Sequence, residues 1–196
     1  MKTFDHLLDT LNAAAPEERP AIEALIRKSF QVHRTALVLD MTDFSISVRR
    51  TGILAHLALI RRMQVLCQSP IELAGGEVVK HDADNVFAVF ANAAQALQAA
   101  EDIQRQLAGR GLETADGRTV GASIGIDSGD ILLIRETDFF GDAVNIAAKL
   151  GEDLAGRGEI LVTARAYEEA GQPAGYVAAE YAVSGIPVAV WRRNFG

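Results

Sequence analysis

Cysteine is nearly missing from this sequence. Cys67 is the only one in 196 residues, so neither an intrachain disulfide framework nor a cysteine-built zinc site can form. No apolar run approaches the roughly 18 residues of a membrane span. The opening MKTFDHLLDTL places Asp5 and His6 where a signal peptide needs its apolar region. A reducing, cytoplasmic setting with no membrane span is the expectation. Positive charge is also short, with 19 Lys and Arg against 26 Asp and Glu, a net charge of −7. That balance argues against a general nucleic-acid binder, which needs a positive field to displace counterions from phosphates. It leaves room for a local basic pocket that takes a small phosphorylated ligand.

Several motifs are absent as well. There is no G-x-x-x-x-G-K-[ST] phosphate loop and no G-x-G-x-x-G dinucleotide fingerprint. GASIG satisfies G-x-S-x-G, but Ser123 falls in mid-strand and no helix follows it, so the nucleophile elbow of a hydrolase is missing. DADN begins like a calcium loop and lacks its glycine and closing glutamate. His6, His33, His56 and His81 are scattered, with no pair at metal-ligand spacing.

What is present reads as one folded domain behind a short extension. Hydrophobic residues make up 49% and charged residues 23%, an ordinary globular balance. FDHLLDTL carries Phe4, Leu7, Leu8 and Leu11 at helical spacing, and Pro20 opens a second helix, AIEALIRKSF. These helices belong to an extension over residues 1–34, with the domain proper over 35–196. TALVLDM is a buried strand ending in Asp40, and GILAHLALIRRMQVL is a helix packed on it. GGEVVKHDADNVFAVF is a β-hairpin with a charged tip. A second helix, AAQALQAAEDIQRQLA, precedes the strands VGASIGI and ILLI. TDFFGDAVNIAAKL carries a further helix, and GEILVT and YAVSGIPVAVWRR supply the last strands. The fold class is α+β with a ferredoxin-like βαββαβ-type core: a mostly antiparallel or mixed sheet with helices on one face.

Two features call for chemistry. A carboxylate at the end of a buried strand is costly unless it is paired or binds a cation, and Asp84 at the hairpin tip can meet Asp40 if the hairpin lies beside that strand. Two aspartates sharing a site repel one another unless a divalent metal sits between them; the plain alternative is an aspartate capping a turn. Asn145 and Lys149, at i and i+4, put two polar groups on one face of a helix otherwise suited to burial.

Taken in order, VLDMTDFS, GGEVVKHDADNVFAVF, IGIDSGD, DFFGDAVNIAAKL and GEILVT resemble the catalytic domain of class III nucleotide cyclases, over roughly residues 35 to 191. The resemblance implies that Asp40 and Asp84, helped by the backbone carbonyl of Met41, hold two Mg2+ or Mn2+ ions per site. They would serve attack of the ribose 3′-hydroxyl on the α-phosphorus, with pyrophosphate leaving. It implies that Lys80 and Asp138 read the base. A lysine donor and an aspartate acceptor complement adenine N1 and its 6-amino group, and guanine presents the reverse pattern, so ATP is the expected substrate. Asn145 would position the ribose. Lys149 stands where the family has an arginine for the α-phosphate, and lysine lacks that residue's two-pronged donor. Asp43 replaces a frequent glycine, Ser184 replaces a lysine for the terminal phosphates, and Arg135 is a candidate substitute cation. Gly141 lets the chain turn into the helix and Asp142 can cap it. The family builds its sites between two catalytic domains, so a homodimer is expected. An alternative remains: a degenerate cyclase module that binds nucleotide or dimerises for signalling without turnover.

Overall fold

A computed structural model describes residues 3–42, 52–134, 137–183 and 185–195. Two helices lead the chain, α1 (Phe4–Ala13) and α2 (Arg19–Phe30). Thr3 caps α1 by accepting the His6 N–H, and Pro20 stands in the first turn of α2, where a missing N–H costs nothing. Strand β1 (Gln31–Thr42) follows α2 directly. It starts ahead of the TALVLDM run because Gln31 already pairs with Leu132.

Next come α3 (Ile53–Leu73), the hairpin strands β2 (Glu77–Asp82) and β3 (Asn85–Phe90), and α4 (Ala93–Arg110), capped by Asn92 on the Gln95 N–H. Short β4 (Leu112–Glu113) precedes the long β5 (Thr119–Ile134) and β6 (Asp138–Phe140). Helix α5 (Asp142–Ala148) runs on into a π-helical turn over Lys149–Leu154. The chain closes with β7 (Glu159–Thr163), α6 (Ala164–Glu169), β8 (Val177–Val183) and β9 (Ile186–Asn194).

The strands line up as β2-β3-β1-β5-β7-β9-β8, with β4 and β6 pairing with β5 off this path. Among the described residues β5 and β7 pair in parallel and the other neighbours are antiparallel. Central β1 is buried from Thr35 to Leu39, which explains its continuous apolar run. Its alternate residues face two cores. Leu37, Leu39 and Met41 meet α3 and α4, whereas Ala36 and Val38 meet Ala143, Val144 and Ala147 of α5. The sheet therefore carries helices on both faces, not on one as the sequence suggested.

A second correction concerns SGD, read as a break between two strands. It lies inside β5, which stays paired with β1 from Gly121 to Leu132. The polar residues here and at the preceding Asp127 are bonded, Asp130 accepting from Gln31 Nε2 at 2.8 Å. Thr35 and Ser128 share a hydroxyl hydrogen bond of 2.8 Å. The fully buried Asp127 accepts the Ser128 N–H at 2.8 Å, the Thr163 hydroxyl, and both Nε and Nη2 of Arg165.

The π-helical turn presses backbone against backbone. A Cβ on Gly125 of β5 would lie 2.1 Å from the Ala147 carbonyl oxygen, and one on Gly151 would lie 2.6 Å from that of Val38. Only glycine permits that approach, and it fixes α5 and the turn after it on the sheet.

Candidate functional site

The structure brings the predicted residues together as three pairs. The first is Asp40 with Asp84. Asp40 is half-buried near the end of β1, opposite Ser123, whose hydroxyl donates to the Asp40 carbonyl at 3.5 Å. Asp84 occupies the two-residue tip of the β2–β3 hairpin beside Ala83, whose φ of 50° is a left-handed conformation. Because β3 pairs with β1, with Leu39 opposite Val86, the hairpin tip is carried back to Asp40. The two carboxyl groups are close enough to influence one another by charge and by hydrogen bonding. Burial first, then the Asp84 carboxylate by charge and hydrogen bond, then Glu152, push Asp40 from 3.8 to about 7, against the Met41 N–H, which pulls the other way.

Glu152 was not foreseen. It lies in the π-helical turn and accepts from Asn85 Nδ2 at 2.9 Å. Burial and the charges of Asp153, Asp82 and Asp84 hold its own carboxyl above the usual range, with Lys149 opposing. Asn85 Oδ1, next in the chain to Asp84, is buried with no hydrogen-bond partner. A crowd of carboxylates with an orphaned oxygen fits a hydrated divalent cation. Among the described residues no group of three or more His, Cys, Asp or Glu side chains forms a closed metal cage. That is compatible with Mg2+, which is commonly held by one or two carboxylates and completed by water and substrate phosphates.

The second pair is Lys80 and Asp138, whose Nζ and Oδ1 stand 2.8 Å apart, both about 30% exposed (32% and 29%). Asp138 Oδ1 also accepts the N–H of Phe139 at 2.8 Å, so Oδ2 lies outside both contacts. The pair offers an ammonium donor and a carboxylate acceptor side by side.

The third pair is Asn145 and Lys149. Both are exposed and line a cavity of about 580 Å³ with Asp142, Ile146, Ala148, Val183, Ile186 and Val188. Lys149 Nζ bonds Asp153 at 2.6 Å, and that hydrogen bond and charge raise its pKa. Asp142 does not cap α5, as had been expected. The cap position is Gly141, and Asp142 is the first helical residue, its carboxylate 3.6 Å from Arg165 Nη2. Asp43, Arg135 and Ser184 lie outside the described residues. Asp153 was legible as an i+4 partner of Lys149, whereas Glu152 depends on the π-helical turn, which no spacing rule revealed.

No family model matches the chain. A curated relative from Rhizobium meliloti (strain 1021), provisionally named adenylate cyclase 3, is 28% identical over 127 residues, covering 65% of this chain and 21% of its own. The chain thus spans about a fifth of that relative's length. The crystal structure of an adenylate/guanylate cyclase/hydrolase from Silicibacter pomeroyi is 29% identical, covers 84% of this chain and 97% of its own, and superposes with a TM-score of 0.71. The guanylate cyclase domain from Catenaria anguillulae, solved with GTP, shares the fold at 20% identity and a TM-score of 0.70, with coverage of 82% and 94%. The adenylyl cyclase CyaB from P. aeruginosa does so at 18% and 0.64, with coverage of 83% and 93%.

Proposed function

We propose that this chain, which is similar to class III nucleotide cyclase catalytic domains, converts ATP to 3′,5′-cyclic AMP and pyrophosphate, at sites shared between two copies. The observation that carries the reading is the contact between Asp40 and Asp84, two carboxylates brought together against their mutual repulsion. A chain with no use for a cation there would gain stability by losing either one. Asp40, Asp84 and the Met41 carbonyl would hold two Mg2+ or Mn2+ ions, whose chemistry is to acidify the ribose 3′-hydroxyl and neutralise the triphosphate.

The other groups follow from their donors and acceptors. Lys80 donates to adenine N1, and Asp138 accepts from the 6-amino group through its uncommitted Oδ2. Guanine would set donor against donor at this edge and leave polar groups unpaired, a large penalty in a water-poor site. Asn145 orients the ribose so that O3′ lies in line with the α-phosphorus. The O3′–P bond then forms as the bond to the pyrophosphate oxygen breaks, and Lys149 meets the charge that develops on the α-phosphate. To do so its ammonium must leave Asp153. In the homodimer, one chain supplies the metal carboxylates and the other supplies Lys80, Asp138, Asn145 and Lys149.

One observation favours a second reading, in which the module binds nucleotide or dimerises for signalling without turnover. The cation expected at the α-phosphate is a lysine already engaged by Asp153. Incubating the purified protein with ATP, GTP, CTP or UTP and Mn2+ separates the two. Cyclic AMP, lost in Asp40→Ala, is the expected product. No cyclic product from any nucleotide leaves the second reading, and dominant cyclic GMP refutes the roles given to Lys80 and Asp138.

A further inference from the structure

We infer that Phe87 is a positioning residue for base selection: its ring, under the Lys80 ammonium and braced by Phe139, holds the Lys80–Asp138 pair in the geometry that reads adenine. The inference rests on the base-reading role proposed above for that pair. Lys80 Nζ sits 5.1 Å from the centroid of the Phe87 ring while it bonds Asp138 at 2.8 Å. The ammonium is thus held between an anion and an aromatic face. Phe87 meets Phe139 edge to face, with centroids 6.2 Å apart and an interplanar angle of 83°. Phe139 adjoins Asp138 in the chain and donates its N–H to that carboxylate. Each base-reading side chain therefore stands on, or next to, one ring of a single buried aromatic pair, with exposures of 8% and 2%.

The arrangement depends on an irregularity in β2. Val78 faces Ala88, and regular pairing would put Val79 opposite Phe87. The register shifts instead, and Lys80 takes that place. A β-bulge of this kind re-aims a side chain beside a functional site. It also turns Val79 into the core with Phe87, Val89 and Phe139, so the extra residue is used rather than merely tolerated.

A purely structural Phe87 would change stability and leave base preference alone; a positioning Phe87 would change base preference. The test compares wild type with Phe87→Met, which keeps volume but has no aromatic face, and Phe87→Tyr, which keeps the face. Calorimetric titration with α,β-methylene-ATP and α,β-methylene-GTP, which cannot cyclise, reads affinity without requiring turnover. The expected result is about a fivefold loss of affinity for the adenine analogue in Phe87→Met, the size of an ordinary cation–π contact. The guanine analogue should be unchanged and Phe87→Tyr close to wild type. With ε-13C-lysine, the Lys80 methylene should be shifted upfield by the ring current in wild type and Phe87→Tyr, and not in Phe87→Met. A wild type that prefers adenine, together with a Phe87→Met variant of equal preference, overturns the role of Phe87 alone. A wild type without preference overturns the base-reading pair and Phe87 with it. Equal losses in the Met and Tyr variants, or an unshifted Lys80 methylene in wild type, also refute the inference.

Discussion

Replacing Asp40 by asparagine should make the metal-free protein more stable at pH 8, although the residue is central to the proposed chemistry. Asp40 is driven from 3.8 to about 7 chiefly by burial and by Asp84. The folded state therefore binds a proton that the unfolded chain has already released between those two values. The stabilising contribution is complete below about pH 4 and disappears as the pH rises through about 7. For a sealed group, three pH units correspond to about 4 kcal/mol. Asp40 is only half-buried, and solvent screening reduces the figure to about 1 to 2 kcal/mol. Asparagine keeps the shape and an oxygen for the Met41 N–H but carries no charge at any pH. For a chain of this length that predicts a rise in Tm of about 3 to 6 °C at pH 8, and almost none near pH 4.

Adding Mn2+ should reverse the order. At a hundredfold excess over its Kd a cation bound only by the folded state adds about 2.7 kcal/mol, available to wild type and largely lost to Asp40→Asn. Calorimetric melting of both proteins at pH 4, 6 and 8, with and without Mn2+, checks the whole pattern. If Asp40→Asn melts below wild type at pH 8 without metal, the two carboxylates are not in conflict and the reasoning from their contact fails. If Mn2+ stabilises both equally, the cation binds elsewhere.

Three further outcomes are expected. Lys149→Ala should lower kcat at least tenfold with a smaller change in nucleotide affinity, and Lys149→Arg should keep or raise kcat, because the group acts on charge that develops in the transition state; steady-state kinetics decide it. Asp153→Asn frees the Lys149 ammonium from its 2.6 Å partner and should raise kcat a few-fold at low salt, with a smaller gain at high salt where that exposed pair is already screened. Homodimers of Asp40→Ala and of Asn145→Ala should each be nearly inactive, and verified mixed dimers should regain part of the activity by assembling one intact site; mixed dimers as inactive as their parents refute the placement of residues across the interface.

Much of the fold could be read from local patterns. ALVL is apolar at every position because β1 is covered on both faces, and the hairpin followed from two strand runs around DADN. Two errors share a cause. SGD looked like a turn, since serine, glycine and aspartate usually mark one. Here Ser128 bonds Thr35 and Asp130 accepts from Gln31, 93 and 99 residues away in the chain, and long-range bonds override local propensity. The side of the sheet taken by α5 was equally hidden. It is set by the close approach of Gly125 to Ala147, and a glycine inside a strand does not announce which backbone it admits.

The candidate site was legible through its carboxylates and the family resemblance, and obscure where local backbone geometry decides. Asp40 and Asp84 could be paired because a carboxylate at the end of a buried strand needs a partner or a cation, and the hairpin tip reaches it when the hairpin lies beside that strand. Lys80 and Asp138 were singled out by the family resemblance, and their donor and acceptor are compatible with adenine whatever their exposure. Phe87 could not be found this way. In a regular strand Val79 would face it, and an aromatic residue opposite a valine reads as core packing; only the register shift between Val78 and Lys80 puts the ammonium over its ring. Glu152 escaped for the same reason. A regular helix would have set a different face toward the hairpin, and the π-helical turn over Lys149–Leu154 directs this carboxylate to Asn85 while Lys149 points to Asp153. Both misses are one-residue irregularities, and each rotates a charged side chain into the site. The local backbone therefore determines which charges gather near Asp84 and Lys80 as much as residue identity does.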